Sequence, residues 1–140
     1  MNLEKTNISN CSIIDISRLK SDSGSISWVE NSKNIPFDVK RIYYLYDVPG
    51  GEERGGHAHK NLHQLVFALS GSFDILINDC KNKKKITLNS PSKGLHIVPG
   101  IWRTLHNFSS GSICFVVASE LFSESDYIRD FSYFKQCKDL

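Results

Sequence analysis

Apolar residues along this chain come in short runs that mostly alternate with polar ones, and turn-forming residues cut the runs apart. Alternation with a period of two is the mark of a strand with one face on a core. Cys11 to Ile16 and Ser25 to Glu30 alternate on either side of Ser21-Asp22-Ser23-Gly24. Val39 to Val48 is rich in β-branched and aromatic residues and stops at Pro49-Gly50-Gly51. Gly56 to His59 reads as a short strand, and Gln64 to Leu69 turns at Ser70-Gly71 into Ser72 to Asn78. Ile86 to Leu88, Gly94 to Val98, Thr104 to Phe108 and Ile113 to Ser119 follow, divided by Asn89-Ser90-Pro91, Pro99-Gly100 and Ser109-Ser110-Gly111. Many short strands at regular spacing predict an antiparallel sandwich or barrel. Only the tail predicts a helix: Ser123 is placed to cap one, and Tyr127, Ile128, Phe131 and Phe134 fall near helical spacing.

Length and charge narrow this picture without redirecting it. The 140 residues predict one domain, 1–140, with room for a buried core. The net charge of +2 gives no basis for a nucleic-acid or membrane partner. The basic cluster Lys81 and Lys83 to Lys85 reads as a solvated hairpin tip. The four cysteines form no C-x-x-C pair, and Cys114, in an apolar run, reads as a small buried hydrophobe. The stretch Met1 to Asn10 is polar, which predicts no secretory leader, and no apolar run approaches a membrane span. A reducing cytoplasm is the expected setting.

The chemistry gathers at Arg54-Gly55-Gly56-His57-Ala58-His59. Two histidines one residue apart on a strand share a face, about 7 Å apart along it. Such a pair can bind a metal or move protons. His57 and His59 supply two ligands, and a catalytic transition metal usually takes three or four. Gln64 is a weak neutral donor, and Arg103 is a fixed cation that repels a metal. His63 is one residue out of register and is expected on the other face. The pair therefore reads as proton carriers with no metal and no cofactor. The plainer alternative, two hydrogen-bonded core histidines, stays open at this point. His96 and His106 read as structural.

Arg54 and Arg103 place positive charge beside the pair, suited to phosphate or an oxyanion. Tyr44 and Tyr46 share a strand face and Tyr43 takes the other. If Ile42, Tyr44 and Tyr46 point inward, Tyr44 donates to a substrate oxygen. Imidazole bases, a phenol and arginines together suit proton abstraction next to a carbonyl.

The spacing of these residues resembles the cupin signature in both halves. Gly51, His57, His59, Gln64 and Gly71 keep the spacing of the first, with Gln64 at the carboxylate position. Pro99-Gly100, Arg103 and Asn107 keep the second, with Arg103 at the last histidine position. Further segments resemble the sugar-nucleotide 3,4-ketoisomerases that act on TDP-4-keto-6-deoxyglucose. They are Asn34-Ile35-Pro36-Phe37, Lys40-Arg41-Ile42-Tyr43-Tyr44, Arg54 to Lys60, Leu69-Ser70-Gly71-Ser72, Pro99-Gly100-Ile101-Trp102, Asn107-Phe108-Ser109-Ser110, Ala118-Ser119-Glu120 and Glu124 to Asp130.

The resemblance implies an all-β cupin-type jelly roll and a homodimer with exchanged N-terminal strands. It implies a cofactor-free shift of the keto group from C4 to C3, feeding 3-amino-3,6-dideoxy sugars for bacterial surface glycans. His59 is then the base at C3 and His57 its partner or second proton carrier. Tyr44 and Arg54 orient the sugar, Arg103 faces the enolate or a phosphate, and Gln64 lies in the substrate site. His63 departs from the glutamate common in such relatives. A 3,5-epimerase on the same substrate, a non-catalytic nucleotide-sugar-binding cupin and a metal-dependent oxygenase are the competing readings.

Overall fold

A computed structural model describes residues 3–139. Met1, Asn2 and Leu140, the ends of the expected domain, lie outside the described residues. The strands are β1 (Ser12–Asp15), β2 (Arg18–Ser21), β3 (Gly24–Ser27), β4 (Arg41–Leu45), β5 (Arg54–His59), β6 (Gln64–Ser70), β7 (Phe73–Asn78), β8 (Lys83–Leu88), β9 (Lys93–Ile97), β10 (Trp102–His106), β11 (Ile113–Ala118) and β12 (Tyr127–Ile128). One helix, α1 (Phe131–Lys138), closes the chain. Among the described residues every strand pairing is antiparallel.

Two sheets face each other, in the orders β1-β9-β6-β11-β4 and β12-β5-β10-β7-β8, and β2-β3 stands as a separate hairpin. This is the antiparallel two-sheet arrangement expected from the alternating runs, with a short C-terminal helix in the tail, and it agrees with the all-β cupin-type jelly roll that the resemblance implies. Alternation sorts the side chains of β6 and β11 between two apolar clusters. Val66, Ala68, Cys114 and Val116 point between the sheets, with Phe73, Ile75, Ile77, Leu95 and Ile97. Leu65, Phe67 and Val117 point outward, where Val29, Ile35, Phe37 and Val39 cover them. Burying each large apolar side chain is worth about 1.5–3 kcal/mol, so both faces of this sheet hold the fold.

The tail differs from its expected form. Tyr127 and Ile128 are not helical; they form β12, opposite His59 and Ala58 of β5. The helix starts later, at Phe131, and its cap is Asp130, whose Oδ1 accepts the Tyr133 N–H at 3.0 Å. Ser123 precedes a 3-10 turn (Glu124–Asp126) and its side chain makes no capping bond. The helical spacing of Ile128 and Phe134 arises because both pack on Ala58, one from a strand and one from a helix. The hairpin β2-β3 gives Arg18–Ser21 a strand where none was expected.

All four cysteines are free, and Cys114 is buried. Among the described residues no helix is long and apolar enough to cross a membrane.

Candidate active site

The site is built where β5 runs beside β10. Arg103 pairs with His57, and a bulge follows between Arg103 and Thr104. Gly55 makes the approach possible. At its φ of +88° a side chain is strained, and a Cβ there would lie 3.0 Å from the Arg103 carbonyl oxygen. The Gly100 N–H donates to the His59 carbonyl at 2.8 Å, so the Pro99-Gly100 turn clamps the end of the histidine strand.

His57 and His59 share one face, as their spacing requires. Their rings meet edge-on at 82°, with centroids 4.8 Å apart. His57 lines an internal cavity of about 590 Å³. His59 is fully buried behind it. The Tyr127 ring lies over both, 5.0 Å from His57 and 4.3 Å from His59.

His59 has a partner that the sequence reading did not single out. Its Nδ1 is 3.0 Å from Asp126 Oδ2. A carboxylate only accepts, so Nδ1 carries the hydrogen and Nε2 keeps a bare lone pair. The other Asp126 oxygen accepts the Asn61 N–H at 2.7 Å, and the Asp126 carbonyl accepts the Lys60 N–H at 2.9 Å. The carboxylate is thus held against β5 from both sides. Neither His57 Nε2 nor His59 Nε2 has a hydrogen-bond partner among the described residues.

Burial is the main force on both histidines, and the Arg103 charge is the next. Together they push His57 down from 6.5 to about 3. The Gly55 backbone hydrogen bond works against this shift. His59 is lowered by burial, Arg103, His57, Arg41 and Arg129, in that order. Both rings are neutral at physiological pH, the state a base requires.

The floor of the cavity is a chain of polar side chains. Arg103 is 2% exposed. Its Nε and Nη2 donate to the Ile101 carbonyl at 3.2 and 2.9 Å, and its Nη1 donates to Gln64 Oε1. Gln64 Nε2 donates to the Tyr43 hydroxyl at 2.8 Å. Burial lowers Arg103 to about 10, which leaves it charged, and raises Tyr43, which keeps the phenol protonated. With its oxygen already accepting from Gln64, Tyr43 has its O–H to offer to the cavity.

The expected inward phenol is therefore Tyr43, and Tyr44 is corrected. Tyr44 is 58% exposed and packs with Tyr46 and Phe115 on the outer side. In the ladder Tyr43 lies opposite Val116, which belongs to the inter-sheet core, so Arg41, Tyr43 and Leu45 take the inner face. A parity error of one residue exchanges the two faces completely.

Arg54 lines the same cavity from an exposed position. Arg41 and Arg129 join it from β4 and from the segment after β12. The Arg129 guanidinium stacks 4.1 Å from the Tyr127 ring centre and is tied to Glu124 at 2.6 and 3.1 Å. His63 takes the opposite face, as its register implies. Its Nδ1 lies 3.0 Å from His96 Nε2, and Phe37 packs on both rings. His106 is on the outer surface, bonded to Thr104 at 2.7 Å.

The donor set does not suit a metal. Gln64 Oε1 is occupied by Arg103 and its amide nitrogen by Tyr43, so only two imidazoles remain beside a buried cation. No group of three or more metal-binding side chains occurs among the described residues.

Asp126, Tyr127, Arg129 and Arg41 all escaped assignment from sequence. A signal existed for all four: Arg41 lies in Lys40 to Tyr44 and the others in Glu124 to Asp130, both of which carry the family resemblance, but reading the second stretch as a helix hid its pairing with β5.

Known proteins resemble the chain in sequence and in structure. The family model FdtA, described as WxcM-like, C-terminal, matches residues 9–139. A TDP-4-oxo-6-deoxy-alpha-D-glucose-3,4-oxoisomerase of Aneurinibacillus thermoaerophilus is 41% identical over 124 residues, 89% of each chain. The WlaRB TDP-quinovose 3,4-ketoisomerase of Campylobacter jejuni is 43% identical, with a TM-score of 0.87 over 92% of this chain and 99% of its own. A mutant of the 3,4-ketoisomerase QdtA from Thermoanaerobacterium thermosaccharolyticum, solved with TDP-4-keto-6-deoxyglucose, is 37% identical. Its TM-score is 0.90 over 92% of this chain and 94% of its own.

Proposed function

The chain belongs to the FdtA family, WxcM-like C-terminal, and from that membership we infer that it is a TDP-4-keto-6-deoxyglucose 3,4-ketoisomerase. It moves the keto group from C4 to C3 through an enediol. The observation that carries this reading inside the site is the imidazole pair. Two neutral rings have unpartnered Nε2 atoms, and a buried guanidinium and a protonated phenol stand by.

Each residue has a defined task on this reading. His59 Nε2 takes the C3 proton, the C–H electron pair becomes the C3–C4 π bond, and the π pair of the C4 carbonyl moves onto O4. A base must become a cation as it does so, and Asp126 is placed to stabilise that imidazolium. His57, on the cavity wall, carries the second proton: O3 gives one up and O4 receives one. The imidazolium then returns its proton at C4, and no atom is gained or lost. Arg103 and the Tyr43 hydroxyl stabilise the developing enolate oxygen, with Gln64 holding both in place. Arg54 orients the sugar at the cavity mouth. The Tyr127 ring, which lines the cavity, packs against His59 with ring centres 4.3 Å apart.

The quaternary reading is a homodimer with exchanged N-terminal strands. The edge strand β4 exposes Ile42 and Tyr44, and Tyr46 lies just beyond it, all at 55–62%, and the hairpin β2-β3 exposes Leu19 and Ile26 at 65%. Apolar patches on a sheet edge of this kind are normally covered by another chain. Four free thiols suit a reducing, cytoplasmic setting. On this reading the product feeds 3-amino-3,6-dideoxy sugars of surface glycans such as O-antigen, as the family resemblance implies.

Incubation with TDP-4-keto-6-deoxyglucose, followed by NMR of the product, tests the activity. The expected product carries its keto group at C3. Deuterium from solvent at both C3 and C5 with the keto group still at C4 would mean an epimerase. Binding with neither exchange nor keto migration would mean a non-catalytic protein.

A further inference from the structure

Among the described residues two cations are buried, Arg103 and Lys138, and the mechanism uses only the first. Lys138 is the last residue of α1, and its Nζ reaches the segment that precedes β1. It donates to the carbonyls of Leu3 and Thr6, the latter at 2.6 Å, and to the Thr6 hydroxyl at 3.1 Å. An ammonium has three hydrogens, so all three are used. Every acceptor is neutral, and no carboxylate lies within ion-pair distance of Lys138 among the described residues. Burial lowers Lys138 below its ordinary value, and the Asp79 charge is the first to oppose that shift. A buried charge held by neutral oxygens alone costs free energy, and removing it would leave two carbonyls and a hydroxyl without their donor.

What the ammonium holds lies against the back of the histidine strand. The far end of the same segment is pinned separately, where Asp79 Oδ2 accepts the Ile8 N–H at 2.9 Å. Between these anchors the chain packs on the Pro99-Gly100 turn. A Cβ on Gly100 would stand 3.1 Å from the Leu3 carbonyl oxygen and closer still to the Thr6 hydroxyl. The Leu3 side chain packs on the apolar cluster of Ala58, Ile128 and Phe134. Two routes therefore run from Lys138 to β5. One passes through Thr6 to Gly100, whose N–H holds the His59 carbonyl at 2.8 Å. The other passes through Leu3 and its cluster to Ala58, which sits between the two histidines and faces away from them.

We propose that Lys138 is a positioning residue for the imidazole pair: its ammonium locks residues 3–6 against the Gly100 turn and the back of β5, and so fixes where His59 Nε2 stands. Lys138 touches neither substrate nor a reacting atom. The proposal rests on the ketoisomerase reading for the reaction whose rate is affected, and on geometry for the lock. A base moved by about 1 Å can lose on the order of 10²-fold in rate, so a lock this far from the chemistry still sets turnover.

The test uses the full-length protein. Lys138→Met keeps an unbranched side chain and removes all three donors. Thr6→Val keeps the shape of the partner and removes one acceptor, and it carries the same test if Lys138→Met fails to fold. Circular dichroism first finds a temperature at which each variant is folded, and two measurements are made there. One is steady-state turnover of TDP-4-keto-6-deoxyglucose. The kcat is expected to fall about 10-fold in Lys138→Met and about 3-fold in Thr6→Val, with KM within about two-fold. The other is the proton NMR resonance of His59 Nδ1–H without ligand, assigned by its loss in His59→Asn. It is expected to shift in both variants, because the ring moves against Asp126. A residue kept for stability alone would lower the melting temperature and leave both readings of the folded protein unchanged.

Wild-type kcat in the folded variants would overturn the proposal. So would a fall in kcat with an unmoved His59 resonance, or a rise in KM alone. If the wild-type protein moves no keto group while the resonance still shifts, the isomerase reading fails and the coupling of Lys138 to His59 stands.

Discussion

The Asp126 carboxylate accepts the Nδ1–H of His59 at 3.0 Å, and this one bond decides which nitrogen of the buried imidazole is free to act. Asp126→Asn keeps the shape but lets the side-chain amide donate instead, so the ring can carry its hydrogen on the wrong nitrogen. We expect kcat to fall by on the order of 10²–10⁴, the range for a mis-set base, with a melting temperature close to wild type. Steady-state kinetics beside a thermal melt check this. Wild-type turnover in Asp126→Asn would remove Asp126 from the mechanism.

The two histidines should separate in the same assay. His59→Asn removes the base that has a carboxylate behind it, and should lower turnover by about 10²–10⁴. It should also abolish exchange of the C3 hydrogen in deuterated solvent. His57→Asn should slow product formation while C3 exchange persists, because the first proton transfer survives. The reverse pattern would make the cavity-wall histidine the base.

Neighbouring tyrosines on β4 should differ sharply. Tyr43→Phe takes away the hydroxyl bonded to Gln64, leaving the Gln64 amide without its partner and the enolate without a donor. A drop of about 10- to 100-fold in kcat is expected. Tyr44→Phe, on the exposed face, should leave kcat unchanged. Equal effects would contradict the inward parity of Tyr43.

Stability should fall on the acid side, and the sign follows from His57. Its unfolded form takes a proton near 6.5 and its folded form only near 3. Between those values the unfolded chain binds more protons, so each step down in pH favours unfolding. His96, held at about 4 by burial and then by His63, adds in the same direction. Urea titrations at about pH 7.5 and about pH 5 should show a lower midpoint at the acid value. In His57→Gln the gap should narrow. A midpoint that does not move with pH would mean these rings charge freely in the folded protein.

The strands of the barrel were legible because alternation and turn residues act locally. Gln64 to Leu69 and Ile113 to Ser119 predicted β6 and β11 to within a residue. The opposite facing of His63 followed from the same period of two. The parity of β4 was not legible. Apolar and polar residues alternate there, but Ile42, Tyr44 and Tyr46 are the apolar set on the exposed face, while the inner face takes the polar Arg41. An apolar outer face misleads any reading that sends hydrophobic residues inward. Asp126 was hidden for another reason. It lies 67 residues from His59, and only the strand pairing of β12 with β5 brings them together. Long-range pairing of that kind leaves no periodic trace in one sequence.

The short strand β12 has a consequence for truncation. Every other strand ends by Ala118, so a chain stopped at Ser119 would still contain the whole first sheet and four of the five strands of the second. It would hold both histidines and Arg103 yet lack Asp126, Tyr127 and Arg129. The site is thus encoded in two stretches, the barrel strands and the tail. The imidazoles come from the middle of the chain, and the carboxylate that orients one of them arrives only with the tail.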